Sequence, residues 1–211
     1  MTIEAIVAEA VAQIEASHAA RERAIATSRS LIRQCANTIR AVHRGEFAEA
    51  AELLGAAAET AHGLRAGLAD APALLFAGYT QDALKEYAEA ALVYAFLHGD
   101  PPPGPAALGV DPAAYLNGLA EAASELRRAI LDGLRHGQVA RGETLLDAMD
   151  DVYSMLVTVD YPDAITGGLR RTTDALRAVL ERTRGDMTAA LRQEQLVAAL
   201  AAFEGKIGPG A

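Results

Sequence analysis

Two pairs of glutamates are the residues of this chain whose type and spacing best suit chemistry. Glu86 and Glu89 are three positions apart, and Glu121 and Glu125 are four positions apart. Either spacing places both side chains on one face of a helix. If the two helices pack with these faces together, four carboxylates meet and form a hard-oxygen site suited to Mg²⁺ or Mn²⁺. The spacing therefore favours a metal-dependent hydrolase.

The same glutamates also have a simpler interpretation as parts of solvated helix faces. Glu121 and Glu125 share their arc of the helical wheel with Asn117 and other polar residues, which is typical of a surface. Glu89 fits this interpretation less well, because it is the only charged residue in the segment 88–97. We expect a carboxylate in so apolar a segment to be partly buried, and a buried carboxylate needs a proton, a partner or a metal.

Other metal and nucleotide sites find little support in the chain. A di-iron carboxylate bundle requires Glu-x-x-His on two helices. Glu59 with His62 and Glu15 with His18 have that spacing, but neither motif lies in the segments that carry the two glutamate pairs, so this class is set aside. The sequence has no HExxH and no Cys-x-x-Cys, so a zinc site is unsupported. It also lacks a P-loop and a Gly-x-Gly-x-x-Gly motif.

The composition predicts an all-α protein. The 211 residues are 51% hydrophobic, with no Trp, and the apolar residues are mostly Ala and Leu. These are strong helix formers, whereas aromatic and β-branched residues are too few for a large sheet. The length suits one domain, which we expect over residues 1–205, followed by a flexible tail at 206–211.

Apolar periodicity and helix-breaking residues predict seven helices. Asp111 is expected to cap the fourth, with Pro112 at its first position, and Asp186 to cap the last after a break at Gly185. The first span, 3–43, is expected to be one long helix or two abutting ones. The other expected spans are 46–69, 80–97, 112–136, 141–159, a segment from Pro162 or Leu169 to Arg184, and 186–203.

The sequence predicts neither a membrane span nor a secretory signal. No run of about 18 apolar residues is free of charge, and the N-terminus carries Glu4 and Glu9 without a basic leader. The single cysteine, Cys35, cannot form an internal disulfide, and its apolar neighbours indicate a buried thiol. A reducing cytoplasm fits this pattern.

A basic segment interrupts an otherwise acidic chain. The net charge is −9, yet residues 21–44 carry six arginines and one glutamate. Such a segment is typical either of a phosphate-binding surface or of a solvated, salt-bridged face. His43 beside it either stacks on a base or lies at a surface or subunit contact. Four of the arginines fall within an arc of roughly 60° on the helical wheel: Arg29, Arg33, Arg40 and Arg44. Arg21 extends the basic segment at its N-terminal end.

Five segments carry a resemblance to a known family. The chain resembles the translin family and, within it, the prokaryotic form of the branch of translin-associated factor X. The match covers about residues 20 to 205, and the order and spacing of the segments are specific. They are SRSLIR at 28–33, AVHRGEF at 41–47, DALKEYAEA at 82–90, YLNGLAEAASELRR at 115–128 and DYPDAITGGLRR at 160–171.

The resemblance implies a seven-helix fold that assembles into a hollow, roughly octameric shell around single-stranded RNA or DNA. Plain translin binds nucleic acid without cutting it, whereas the factor X branch cleaves RNA with Mg²⁺. The two acidic pairs of that branch fall on Glu86 with Glu89 and on Glu121 with Glu125. Animal proteins have Asp at the position of Glu121, a conservative departure. Plain translin has apolar residues at the first pair, so this chain sides with the catalytic branch.

The resulting prediction is an endoribonuclease with four catalytic, metal-binding glutamates, one of which, such as Glu125, accepts the proton of the attacking water. Its RNA is expected to lie along Arg21 and the four arginines of the stripe. Two other functions stay open: a nucleic-acid-binding shell that does not cut, and a helical scaffold for another protein. A second arginine series, at 170–184, is placed outside the site.

Overall fold

The computed structural model describes residues 2–207, and within that range the chain forms nine helices and no strand. This confirms the all-α prediction. None of the described helices is both long and apolar enough to cross a membrane. In chain order the helices are α1 (Ile3–His43), α2 (Phe47–Ala66), α3 (Pro72–Leu75), α4 (Gly78–His98), α5 (Pro105–Leu108), α6 (Pro112–Leu134), α7 (Val139–Leu156), α8 (Asp163–Thr166) and α9 (Leu169–Ile207).

The predicted break at Gly185 is wrong, because α9 runs through it without interruption. A glycine inside a helix costs about 1 kcal/mol relative to alanine. The burial of Leu180 and Met187 on either side of it outweighs that cost. Asp186 does not cap a new helix and instead forms an ion pair with Arg127 at 2.8 Å. The described residues thus form six long helices and three single turns.

The predicted division into a domain at 1–205 and a tail at 206–211 stays a prediction. Residues 206 and 207 continue the backbone of α9. Residues 208–211 lie outside the described part of the chain.

Helices α4 and α6 lie side by side and run in the same direction. A Cβ on Gly118 of α6 would lie only 2.7 Å from the carbonyl oxygen of Lys85 and 3.1 Å from the backbone nitrogen of Glu89. Only glycine fits there without moving a helix. Farther along, Arg141, at the start of α7, donates to the carbonyl of Leu97 near the end of α4. Successive turns of α6 therefore lie beside successive turns of α4, in the same order along the chain.

The start of α6 follows the predicted cap. The carboxylate of Asp111 accepts a hydrogen bond from the backbone N–H of Ala113 at 3.0 Å, and Pro112 is the first helical residue. This fixes where α6 begins, and hence which of its turns lies beside the middle of α4.

The core consists of two adjoining apolar clusters along these helices. One contains Leu31 and Cys35 of α1 with the first half of α4, and the other contains the second halves of α4 and α6 with α7 and α9. Glu89 lies on α4 near the junction of the two clusters, among alanines that allow the helices to pack closely. The site is therefore built on rigid, buried helices.

Both ends of the described chain extend beyond this core. Every residue from 2 to 19 on α1 and from 192 to 205 on α9 is exposed. These arms nevertheless carry large apolar side chains at helical spacing. They are Ile3, Ile6, Val7, Val11 and Ile14 on α1, and Leu196, Val197, Leu200 and Phe203 on α9.

Candidate functional site

Three of the four glutamates meet between α4 and α6. One carboxylate oxygen from each of Glu86, Glu89 and Glu121 lies within 4.8 Å of the other two. The contact at Gly118 explains this meeting, because Glu121 lies one turn farther along α6 and so faces the turn of α4 that carries the first pair. The acidic faces of the two helices thus meet, and three of the four glutamates share the cluster.

Glu89 is the most buried member of this carboxylate cluster, with 8% of its surface exposed. Burial raises its pKa to about 8, and the charges of Glu86, Glu121 and Glu125 contribute to the rise, while Lys85 opposes it. Near neutral pH and without a bound cation, Glu89 is therefore largely protonated. A cation placed among the three carboxylates would favour its charged form.

Lys85 supplies a positive charge at this place, which the spacing of the glutamates does not predict. Its Nζ lies 2.5 Å from an oxygen of Glu121 and 3.4 Å from an oxygen of Glu86. Burial acts to lower the pKa of Lys85, but the hydrogen bond and charge of Glu121, with the charge of Glu86, outweigh burial and raise it. Lys85 therefore remains an ammonium ion and partly neutralises the carboxylate cluster.

Glu125 lies apart from the other three carboxylates, although all four were expected to converge. Its Oε2 is 2.9 Å from Nε2 of His43, an arrangement in which the ring N–H donates to the carboxylate. This hydrogen bond lowers the pKa of Glu125, against the effect of burial, and the charges of His43 and Arg128 lower it further. Glu125 is consequently held in its charged form beside the cluster.

His43 itself differs from the sequence interpretation. Its side chain is only 1% exposed, so it does not lie at a surface and is not placed to stack on a base. Its second ring nitrogen, Nδ1, is buried without a hydrogen-bond partner among the described residues. His43 acts from the end of α1 to orient Glu125.

The polar arc of α6 is also less exposed than a surface interpretation requires. Asn117 is buried, and its amide donates to the carbonyl of Thr166 at 2.8 Å and accepts from the hydroxyl of Thr172 at 2.6 Å. Asn117 thereby ties α8 and α9 to α6. Glu121 and Glu125 remain half-buried beside it.

The donor set fits a hard divalent cation. All three clustered ligands are carboxylates on two packed helices, and Mg²⁺ and Mn²⁺ prefer oxygen ligands of this kind. Within residues 2–207, no histidine or cysteine joins this group of ligands, which disfavours zinc. Glu86, Glu89 and Glu121 are therefore the residues that would hold the metal.

The arginine stripe of α1 faces outward as predicted, but its members differ in their partners. Arg21 pairs with Glu22, and Arg44 pairs with two acidic residues of the next turn and of α2, as a salt-bridged face would. Arg40 donates to Asn37 at 2.8 Å. Three of the arginines make no ion pair with any residue between 2 and 207: Arg29, Arg33 and Arg40. Arg29 and Arg33 also make no side-chain hydrogen bond within that range and are therefore the best placed to bind a phosphate.

Comparisons with known proteins give both sequence and structural relatives. No family model matches the chain. An uncharacterized protein of Methanocaldococcus jannaschii, MJ0175, is 30% identical over 178 residues, which cover 83% of this chain and 78% of that protein.

Two solved structures of AfC3PO, one of them in complex with duplex RNA, are 31% identical and cover 89% of this chain and 97% of theirs. Their TM-scores are 0.83 for the duplex RNA complex and 0.81 for AfC3PO alone. Apo-NeC3PO, at 18% identity, covers 90% of this chain and 98% of its own with a TM-score of 0.77, and it shares the fold.

The raised pKa of Glu89 predicts how stability depends on pH. The stability that Glu89 contributes in its protonated form is complete below its ordinary pKa of 4.5 and is lost as the pH rises through about 8. Glu89→Gln stays neutral, so at pH 9 in EDTA it should melt roughly 5 °C above wild type. The difference should vanish near pH 4.5.

Thermal unfolding followed by circular dichroism measures this difference. Glu143→Gln, which changes an exposed glutamate of α7, serves as the matched control and should follow wild type at every pH. If the melting temperatures of Glu89→Gln and wild type keep a constant separation from pH 4.5 to 9, Glu89 does not titrate as described.

Proposed function

Because the chain belongs to the translin family, we propose that it binds RNA and cuts it as a Mg²⁺-dependent endoribonuclease inside a homo-oligomeric shell. The observation that carries the proposal is the meeting of Glu86, Glu89 and Glu121 around a cation-sized space. A buried carboxylate with a raised pKa beside two others is typical of a site built for chemistry. Duplex RNA in the AfC3PO complex supports the choice of RNA as partner.

In this proposal Glu86, Glu89 and Glu121 bind Mg²⁺, with Mn²⁺ as a substitute. An ion held there would supply a water of lowered pKa and a positive charge for the phosphate. Glu125, charged and oriented by His43, accepts the proton of the water whose oxygen attacks phosphorus. The bond from phosphorus to the leaving nucleotide oxygen breaks in the same displacement. Lys85 gives up its carboxylate partners when the site binds the cation.

RNA binding is assigned to the outward face of α1. Exposed arginines attract phosphates without reading sequence, so binding should depend steeply on salt. Arg29 and Arg33 form the centre of this surface, because within residues 2–207 they make neither an ion pair nor a side-chain hydrogen bond. Arg21, Arg40 and Arg44 are its outer members. Single-stranded RNA is the proposed substrate, and single-stranded DNA is proposed as a second ligand.

One observation favours a second candidate, a shell that binds single-stranded RNA or DNA without cutting. Lys85 already neutralises part of the charge of Glu86 and Glu121. A carboxylate cluster satisfied by its own lysine needs no metal for stability. Cleavage that requires a divalent cation separates the two functions.

The buried thiol Cys35 supports a cytoplasmic location, which is part of the same proposal.

Assembly is proposed from the two exposed arms, and the number of eight copies from the resemblance to the translin family. The apolar side chains of the arms, on α1 from residue 3 and on α9 to residue 203, are expected to be buried against other copies. Multi-angle light scattering should therefore give a mass of about eight chains, and Leu200→Asp should lower it. Gln195→Asp, which adds the same charge at an exposed polar position of the same arm, is the control and should keep the mass of wild type. A stable monomer for the wild type would contradict the shell.

Cleavage is tested on a labelled single-stranded RNA. Wild type with Mg²⁺ should degrade it, and EDTA should stop the reaction. Glu89→Gln should lower the cleavage rate by at least about a hundredfold, because one metal ligand loses its charge. Its RNA affinity in a mobility-shift assay should be unchanged, since Glu89 lies away from the arginine surface.

Glu143→Gln on α7 is the control for cleavage and should match wild type. Undiminished cleavage by pure Glu89→Gln protein would end the proposed mechanism. Binding without metal-dependent cleavage in the wild type would favour the second candidate function.

The arginine surface is tested by the salt dependence of binding. Replacing both Arg29 and Arg33 by Gln should weaken RNA binding and reduce the slope of log affinity against log salt by about 1.4, near 0.7 for each lost phosphate contact. Fluorescence anisotropy over a series of KCl concentrations measures this slope. The double replacement Arg177→Gln and Arg182→Gln, on the exposed face of α9, should leave it unchanged. Equal changes in both proteins would contradict the assignment to α1.

A further inference from the structure

A groove of about 460 Å³ begins at the carboxylate cluster and follows the seam between α4 and α6. Lys85 and Glu121 belong both to the cluster and to the wall of this groove. From Glu121 the groove extends back along α6 to Asp111, ten residues or about 15 Å of helix. A polynucleotide with a phosphate at the cluster would therefore place a neighbouring nucleotide in the groove.

The far wall of the groove is formed by residues between 164 and 172. Here α8 ends at Thr166 and is followed by Gly167 and Gly168, with φ of 62° and 83°, values that favour glycine. The chain then turns directly into α9. The buried amide of Asn117 holds this turn through Thr166 and Thr172. The amide groups of Asn117 are thus used within the protein and are not free for a ligand. Their hydrogen bonds hold the wall of the groove in place relative to Glu121.

Two large apolar side chains from separate elements line this groove and are nevertheless exposed. Phe76, which follows α3, is 62% exposed, and Ile165 of α8 is 67% exposed. Apolar groups that share one groove indicate a ligand with apolar faces. A nucleobase has such faces, and stacking on an aromatic ring is how proteins bind unpaired bases.

The charges of the groove indicate where the base and the phosphate lie. Arg171 at the start of α9 makes no ion pair with residues 2–207, so it is available to a phosphate. Besides Glu121, the wall carries the carboxylates of Asp82 and Asp111. Hydrogen-bond acceptors of this kind suit the N–H groups of a base edge and repel a second phosphate.

We propose that this groove is a nucleotide subsite, in which the base next to the scissile phosphate packs on Phe76 and Ile165 while Arg171 binds an adjacent phosphate. The subsite rests on the proposed function, since it presupposes RNA at the carboxylate cluster. It assigns a role in substrate binding to the acidic and apolar groove walls in addition to that of the arginines of α1.

The test uses the full chain and a short single-stranded RNA with 2-aminopurine placed at one position after another. With Glu89→Gln and Mg²⁺, the fluorescence of 2-aminopurine should be quenched by stacking at one or two adjacent positions. Adding Phe76→Ala should abolish this quenching and weaken binding roughly five- to a hundredfold, whereas Phe76→Tyr, which keeps the ring, should preserve both.

In the cleaving enzyme, Phe76→Ala and Arg171→Gln should raise KM several-fold with little change in kcat. Arg177→Gln, an exposed arginine six residues farther along α9, should match wild type. If wild type binds and cuts RNA but Phe76→Ala and Arg171→Gln behave like it, the subsite is wrong and the proposed function stands. If wild type neither binds nor cuts RNA, the proposed function fails and the subsite fails with it.

Discussion

The close contact between α4 and α6 at Gly118 is the constraint on which the site depends. A side chain there would collide with the backbone of α4 at Lys85 and Glu89. Its absence brings two parallel helices close enough for their glutamates to share one space. Glu86 and Glu121 are 35 residues apart in the sequence, yet the contact at Gly118 brings their carboxylates close together in space. Packing, and not local sequence, creates the site.

This packing carries an electrostatic cost that the structure meets in two ways. Three carboxylates near one another disfavour full ionisation, and the buried Glu89 responds by holding its proton to a higher pH. Lys85 neutralises charge on the other two. Glu125, one turn away, escapes this compensation because His43 stabilises its charge separately. A cation would therefore stabilise the charged form of the cluster. Glu125, which lies beside the cluster, stays charged without a cation.

The helical class and the burial of Glu89 could be predicted from the sequence, whereas the arrangement of the site could not. The abundance of Ala and Leu predicted helices, and the isolated Glu89 in an apolar stretch correctly predicted a buried carboxylate. Periodicity cannot show which helices are neighbours or at what level they meet. The pairing of Lys85 with Glu121 and that of His43 with Glu125 were missed for this reason. Gly185 was misjudged because tertiary packing along α9 overrides the weak helix propensity of one glycine.

The two exposed arms belong to α1 and α9, and the same two helices contribute His43 and Arg171 to the surroundings of the carboxylate cluster. Helix α1 spans 41 residues, about 60 Å, and ends at His43, while α9 spans 39 residues and begins beside Arg171. Because each of these helices is continuous, a displacement at one end moves the other end as well. A neighbouring copy that binds either arm would therefore hold Glu125 or the groove wall in place, and the geometry around the carboxylates of one copy would then depend on contacts made by the next.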